Sequence, residues 1–462
     1  MRYISTRGQS PPVSGAEAIL RGPAPDGGLY VPERMPVLPG DFAERLAPLD
    51  YPARAAYVLS LFLPEFGRLD GLCREAYQRF DGPPAPLGRL GDVFMLELWH
   101  GPTCAFKDMA LQVLPLLVNK AKELTGETRD VYILTATSGD TGKAALEGFK
   151  DIPGTRVLVF YPEEGVSEVQ KLQMVTQEGE NVCICAVRGN FDDAQNGVKR
   201  VFAKDLSNDR FLLSSANSIN LGRLLPQVAY YVSAYTDYLG QSPAVPNPAV
   251  CVPTGNFGNI LAALYAKRMG VPFGRLVCAS NKNNVLTNVI QTGVYDRKRP
   301  LAKTESPSMD ILISSNFERA LHLLGADVND CMARLAADGK YTLDGDTFTA
   351  LQAEFDAFWR GDEEGKACIR KVYEETGQVI DPHTAVAAAE VYDNELYRDC
   401  IVVSTAHPGK FPQAVLEALG GADLGQYLPI PQALTDAQTK PRRFSASVAP
   451  DGIEGFVLDW LL

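Results

Sequence analysis

From about residue 86 onward, short apolar runs alternate with helix-like stretches, and this alternation most narrows what the chain can fold into. The runs are Val131–Leu134, Arg156–Phe160, Val182–Val187, Val250–Val252, Leu276–Ala279 and Cys400–Val403. Strands that alternate with helices pair in parallel through βαβ crossovers, so an α/β protein built on parallel sheets is expected. Residues 1–85 are rich in Pro and Gly and end in Gly82-Pro83-Pro84-Ala85-Pro86, which marks a domain boundary. At 462 residues the chain is long enough for two or three domains with substantial cores.

The chemistry concentrates in loops between these elements. A β-like segment from Val93 to Leu98 breaks at Gly101-Pro102, and a helix-like pattern begins near Lys107. A lone cation is thereby set among apolar neighbours at a strand-to-helix loop. Burial disfavours the ammonium, so such a lysine is readied to attack a carbonyl, and pyridoxal phosphate is the carbonyl compound most often held this way. A lysine with its stem packed and its head in water is the commoner arrangement.

A second loop follows the run Ala249-Val250-Cys251-Val252-Pro253. Here Thr254-Gly255-Asn256-Phe257-Gly258-Asn259 leads into a helix from Ile260 to about Arg268. Strand, glycine-rich turn and helix together offer backbone N–H groups and a helix N-terminus to a phosphate, with glycine where the backbone must approach the anion. The loop is neither a dinucleotide fingerprint nor a Walker loop, and a plain capping turn is the alternative. Thr135-Ala136-Thr137-Ser138-Gly139-Asp140-Thr141-Gly142 has the same design and suits a carboxylate or phosphate, or else is a well-capped helix start. Gly142-Lys143 does not complete a P-loop, because Thr137 and Ala144 stand where that motif needs Gly and Ser/Thr.

These loops, His100 to Asp108, Thr135 to Gly142 and Pro253 to Asn259, resemble those of the threonine synthase family. Four further stretches continue the likeness in order: Tyr3–Gly8 with Asp26–Pro32, Ser214–Arg223, Ser314–Arg319, and Ser404–Phe411. The resemblance implies two parallel-sheet domains with pyridoxal 5'-phosphate in the cleft between them, plus a small N-terminal domain. The expected domains are 1–85, then 86–220 with the lysine and substrate loops, then 221–462 with the phosphate cup.

Residue by residue, the resemblance gives Lys107 the Schiff base and the proton transfers. Gly255, Asn256, Phe257, Gly258 and Asn259 hold the cofactor phosphate. Thr405 bonds the pyridine nitrogen, where a hydroxyl tempers the electron sink; a strand-end hydroxyl satisfied by backbone is the alternative. Thr137, Ser138, Asp140 and Thr141 close on the amino-acid substrate. Many relatives of the fold carry Asn where this chain has Asp140, and a carboxylate beside an anionic substrate is costly unless protonated or paired. Asn217, Ser218 and Arg223 take the substrate phosphate, arginine being the planar fork suited to it, and a surface ion pair is the plainer reading of Arg223. His100 and His407 read as packed structural histidines, and Asp381-Pro382-His383-Thr384 as an N-cap with Pro at the first helical position.

The implied reaction converts O-phospho-L-homoserine and water to L-threonine and phosphate by γ-elimination and β-addition of water. Phospho-lyases of the same family release ammonia and 2-oxobutanoate through near-identical loops, and that is the second reading. An intact Lys107 weighs against a pseudo-enzyme. The formal net charge of −12 argues against nucleic acid or an anionic membrane as partner. The expected partner is the small substrate alone, for a monomer or homodimer. Nine cysteines without a regular framework suggest free thiols in the cytoplasm, and Cys183-x-Cys185 has no nearby ligands, so no metal site is expected. No apolar run approaches the roughly 20 residues of a membrane span.

Overall fold

A computed structural model of the chain describes all residues except Ser138, Glu164, Gly165, Asp205 and Leu462. All six expected runs fall on strands, with Cys400 just before its strand, and they divide between two sheets. The six-stranded sheet runs Phe355–Trp359, Leu276–Ser280, Val250–Pro253, Ile401–Ser404, Val93–Glu97 and Leu87–Leu90. Its pairings are parallel except the last, where Leu87–Leu90 runs antiparallel to Val93–Glu97. The five-stranded sheet is parallel throughout: Ser447–Val448, Val182–Val187, Thr155–Pro162, Asp130–Ala136 and Phe211–Ser215. Residues 1–85 form a separate three-stranded antiparallel sheet and several helices, among them Tyr51–Phe62.

The sheets do not divide at residue 220. Val93–Glu97, which precedes the lysine loop, sits in the six-stranded sheet beside Ile401–Ser404. Near the other end of the chain, Ser447–Val448 joins the five-stranded sheet, and Ile453 and Val457 of the helix Ile453–Leu461 are buried with Val198 and Val201. Parallel neighbours need only a crossover and not adjacency in sequence, so each sheet recruits strands from both sides of the expected boundary.

The helix Leu221–Gly240 is the longest among the described residues and is buried over most of its length. Its N-cap Asn220 accepts from the Gly222 N–H at 2.8 Å, which fixes the first turn and with it Arg223. No helix among the described residues is long and apolar enough to cross a membrane.

Candidate active site

The lysine loop is stitched to the segment that follows Ile401–Ser404. Leu98 N–H donates to the Ser404 carbonyl at 3.0 Å, Phe106 N–H to the Thr405 carbonyl at 2.8 Å, and His407 N–H to the Cys104 carbonyl at 3.1 Å. Parallel pairing of the two strands thus places Lys107 and Thr405 on one cleft wall, although 298 positions separate them in sequence. Asp108 turns inward and accepts from the Thr103 N–H at 2.8 Å and its hydroxyl at 2.9 Å, which closes the loop.

Lys107 is buried, with its ammonium 4.5 Å from the Phe106 ring centroid and 3.6 Å from Asp140 Oδ2. Burial pushes its pKa down to about 8; Asp140 opposes this, while the Lys410 and Arg223 cations act in the same direction as burial. An amine so placed is available in its neutral form near physiological pH.

The glycine-rich turn faces Lys107 across the cleft. Phe257 takes the left-handed conformation, φ +63°, and the helix Gly258–Arg268 starts at once after it. Gly255 is held tightly: its carbonyl accepts from Ser314 Oγ at 2.8 Å, and a Cβ there would come 2.8 Å from the Ser308 carbonyl oxygen. Asn316 N–H donates to the Asn256 carbonyl at 3.0 Å. Asn259 Oδ1 accepts from both the Tyr230 and Tyr231 hydroxyls at 2.6 Å, which turns its Nδ2 into a buried donor without a protein partner.

Arg223 enters the same cleft from the first turn of its helix. Its Nη1 donates to the Ala216 carbonyl, but its Nε is buried without a partner, and burial pushes the guanidinium down to about 10. Asn217 and Ser218 line the cleft next to it. Asn217 Nδ2 donates to the Ala136 carbonyl at 2.8 Å, and Ser218 Oγ lies 3.4 Å from Ser315 Oγ.

Buried, unpartnered donors are costly unless an anion or other acceptor meets them. Asn259 Nδ2, Arg223 Nε and the helix N-terminus at Gly258 all face one cleft with a buried lysine. The buried amine and the donors at Asn259 and the helix N-terminus fit pyridoxal phosphate, an aldehyde for the one and a phosphate for the others, and Arg223 is left as a donor for a further anion.

Among the substrate-loop residues, Asp140 and Thr141 line the cleft, whereas Thr137 does not. The Thr137 hydroxyl accepts from the Gly139 N–H at 2.9 Å and the Gly142 N–H at 2.8 Å, so it is used inside the turn. Ser138 lies outside the described residues. The puzzle of a carboxylate at position 140 has a physical answer. Burial alone would raise the Asp140 carboxyl, but Lys410 at 2.7 Å and Lys107 at 3.6 Å, with a hydrogen bond from Gln170, hold it well below the usual carboxylate range.

Ser308, Gln227 and Met309 line the cleft and Lys410 pairs with Asp140 beside it, yet none of the four carries a sequence signal of such a role, and His383 reads in the sequence only as part of a cap. His383 does follow the N-cap Asp381, whose Oδ1 lies 2.9 Å from its Nδ1, yet its ring also lines the cleft and its Nε2 accepts from Ser308 N–H at 3.3 Å. His100 and His407 stay outside: the first pairs with Glu97 at 2.7 Å, and the second accepts from the Gly409 N–H at 3.0 Å. Lys143 pairs with Glu147 at 3.0 Å, away from the cleft.

Comparison with known proteins gives a consistent result. Residues 2–77 match the family described as "Threonine synthase N terminus", residues 83–405 "Pyridoxal-phosphate dependent enzyme", and residues 384–456 "Threonine synthase, C-terminal". The threonine synthase of Pseudomonas aeruginosa is 38% identical over 457 residues, with 96% of this chain and 95% of that protein covered. Human threonine synthase-like 1 is 42% identical over 433 residues, and the match covers 87% of this chain but only 58% of that longer protein. Among solved structures, the pyridoxal-phosphate-bound threonine synthase of Brucella melitensis superposes with a TM-score of 0.88 at 36% identity, covering 100% and 98% of the two chains. The yeast enzyme gives 0.90 at 32% identity with the same coverage.

Proposed function

The chain belongs to the threonine synthase family of pyridoxal-phosphate-dependent enzymes, and on that footing we propose that it converts O-phospho-L-homoserine and water to L-threonine and phosphate. The observation that carries the reading is the convergence of Lys107, the Gly255–Asn259 turn, Thr405 and Arg223 on one cleft.

When bound, pyridoxal phosphate supplies an electron sink that acidifies Cα and then Cβ of the amino acid. The remaining roles fall to this chain's own residues. Lys107 is the attachment point and the base that moves protons between substrate carbons, a role that suits an amine brought down to about 8. Gly255, Asn256, Phe257, Gly258 and Asn259 hold the cofactor phosphate, and Thr405 offers its hydroxyl to the ring nitrogen. Asp140 and Thr141 face the amino-acid end of the substrate, and Thr137 shapes the turn that presents them. Arg223, with Asn217 and Ser218, binds the phosphate that departs from Cγ, because a guanidinium stabilises a departing dianion through directed bonds. We place the protein in the cytoplasm, as a monomer or homodimer, on the strength of nine free cysteines and large exposed apolar side chains that are few and scattered along the chain.

The test is a product assay on purified protein with pyridoxal phosphate and O-phosphohomoserine. Threonine and phosphate in equal amounts are expected, and borohydride reduction followed by peptide mass analysis should find the pyridoxyl group on Lys107. Ammonia and 2-oxobutanoate as main products would replace this reading with that of a phospho-lyase. A label on Lys143 would overturn the attachment residue.

A further inference from the structure

The Lys410 ammonium is fully buried and is held by groups from two distant parts of the chain. It donates to the Thr103 carbonyl in the lysine loop at 2.9 Å and pairs with Asp140 Oδ1 at 2.7 Å. Asp140 opens the helix Asp140–Phe149; its Oδ2 accepts from Ser308 Oγ at 3.2 Å and lies 3.6 Å from Lys107. One buried carboxylate therefore faces two lysines, and the closer lysine is not the one whose loop faces the glycine-rich turn.

We propose that Lys410 is a positioning residue: it serves as the permanent counter-ion of Asp140, ties the substrate loop to the lysine loop, and leaves Lys107 free to give up its proton. The inference rests on Lys107 being the lysine that takes the cofactor.

Charge must stay balanced in a buried site. An amine attacks an aldehyde only in its neutral form. With Asp140 as its sole neighbour, Lys107 would be held as an ammonium, because losing that charge would leave a carboxylate buried without a cation. With Lys410 in place, deprotonation of Lys107 leaves a neutral Asp140–Lys410 pair. The other groups facing Lys107 are the Arg223 cation and the Phe106 ring, and neither can substitute as a partner for Asp140 at hydrogen-bond distance. The same pair explains how a loop bearing a carboxylate accepts an anionic substrate, since the loop and its counter-ion carry no net charge.

The experiment follows pyridoxal phosphate uptake by the cofactor-free protein at neutral pH through its visible absorbance, together with the thermal midpoint. Lys410→Met keeps a stem of similar length and removes the cation. Uptake is expected to slow about tenfold or more, a tenfold loss for each pKa unit by which Lys107 is driven up. Adding Asp140→Asn to that background removes the stranded carboxylate and should return uptake close to the parental rate and raise the thermal midpoint above that of Lys410→Met. Rescue by deleting a second polar charge is not the behaviour of a residue that only fills space. Parental uptake in Lys410→Met, or a double variant as slow as the single one, would overturn the proposal. Should Lys410→Met fail to fold, the double variant decides alone: folded with near-parental uptake supports the counter-ion role, and unfolded refutes it. A reduced label on another lysine of the parent protein would instead refute the attachment reading.

Discussion

Replacing Arg223 with Met removes a guanidinium while keeping most of its stem, and the structure gives opposite expectations for folding and for binding. The side chain is buried, its Nη1 donates to the Ala216 carbonyl, its Nε has no partner, and it is in no ion pair among the described residues. Losing the bond to the carbonyl costs about 1.5–3 kcal/mol. Against this, burial lowers the guanidinium from its ordinary 12.5 to about 10. At 1.36 kcal/mol per pKa unit, folding the charged form costs about 3.4 kcal/mol, which the substitution relieves. The relief is slightly the larger, so the unliganded variant should lose no stability and gain at most about 2 kcal/mol. Binding has no such compensation. A charge-assisted bond to a phosphate is worth about 1.5–3 kcal/mol, so kcat/KM for O-phosphohomoserine should fall roughly tenfold to about 150-fold. Inorganic phosphate at 100 times its Kd should stabilise the parent by about 2.7 kcal/mol in thermal unfolding and the variant much less. A variant that loses several kcal/mol of stability and binds phosphate as the parent does would make Arg223 a structural residue.

Two further outcomes follow from the geometry. Gly255→Ala puts a Cβ 2.8 Å from the Ser308 carbonyl oxygen, a backbone atom that yields only if its loop moves, so a loss of about 1–3 kcal/mol and weaker cofactor retention are expected together in thermal melts and dialysis; an unchanged variant would mean that the turn is loose. His407 is pushed down to about 4, chiefly by burial, from about 6.5 in the unfolded chain. The unfolded state then binds the extra proton, so the neutral ring's contribution is fully present above pH 6.5 and is lost as pH falls toward 4, by up to about 3 kcal/mol; His407→Asn should flatten that part of the stability profile measured by denaturant titration.

The parts of the site that were legible in the sequence are local ones. A glycine-rich turn between an apolar run and a helix declares itself within about ten residues, and the lysine loop does the same, because strand, turn and helix signals all act at short range. Arg223 was reachable for a related reason: it sits three residues after the cap Asn220, inside one motif. The Asp140–Lys410 pair was not legible. It depends on Ile401–Ser404 lying beside Val93–Glu97, and on the start of the helix Asp140–Phe149 reaching the segment that follows Ile401–Ser404. Neither relation is encoded in the spacing of residues. Through the same non-local pairing, each sheet takes strands from both sides of residue 220. Thr137 shows a different limit: its residue type was read correctly as polar and loop-borne, but a hydroxyl that accepts from two backbone amides in its own turn has the same sequence signature as one offered to a ligand. Residue identity at a loop therefore specifies which bonds can form. Which of them do form is decided by what the fold brings opposite, and at position 140 that is a second lysine, a group that makes a carboxylate tolerable where a neutral side chain would otherwise be required.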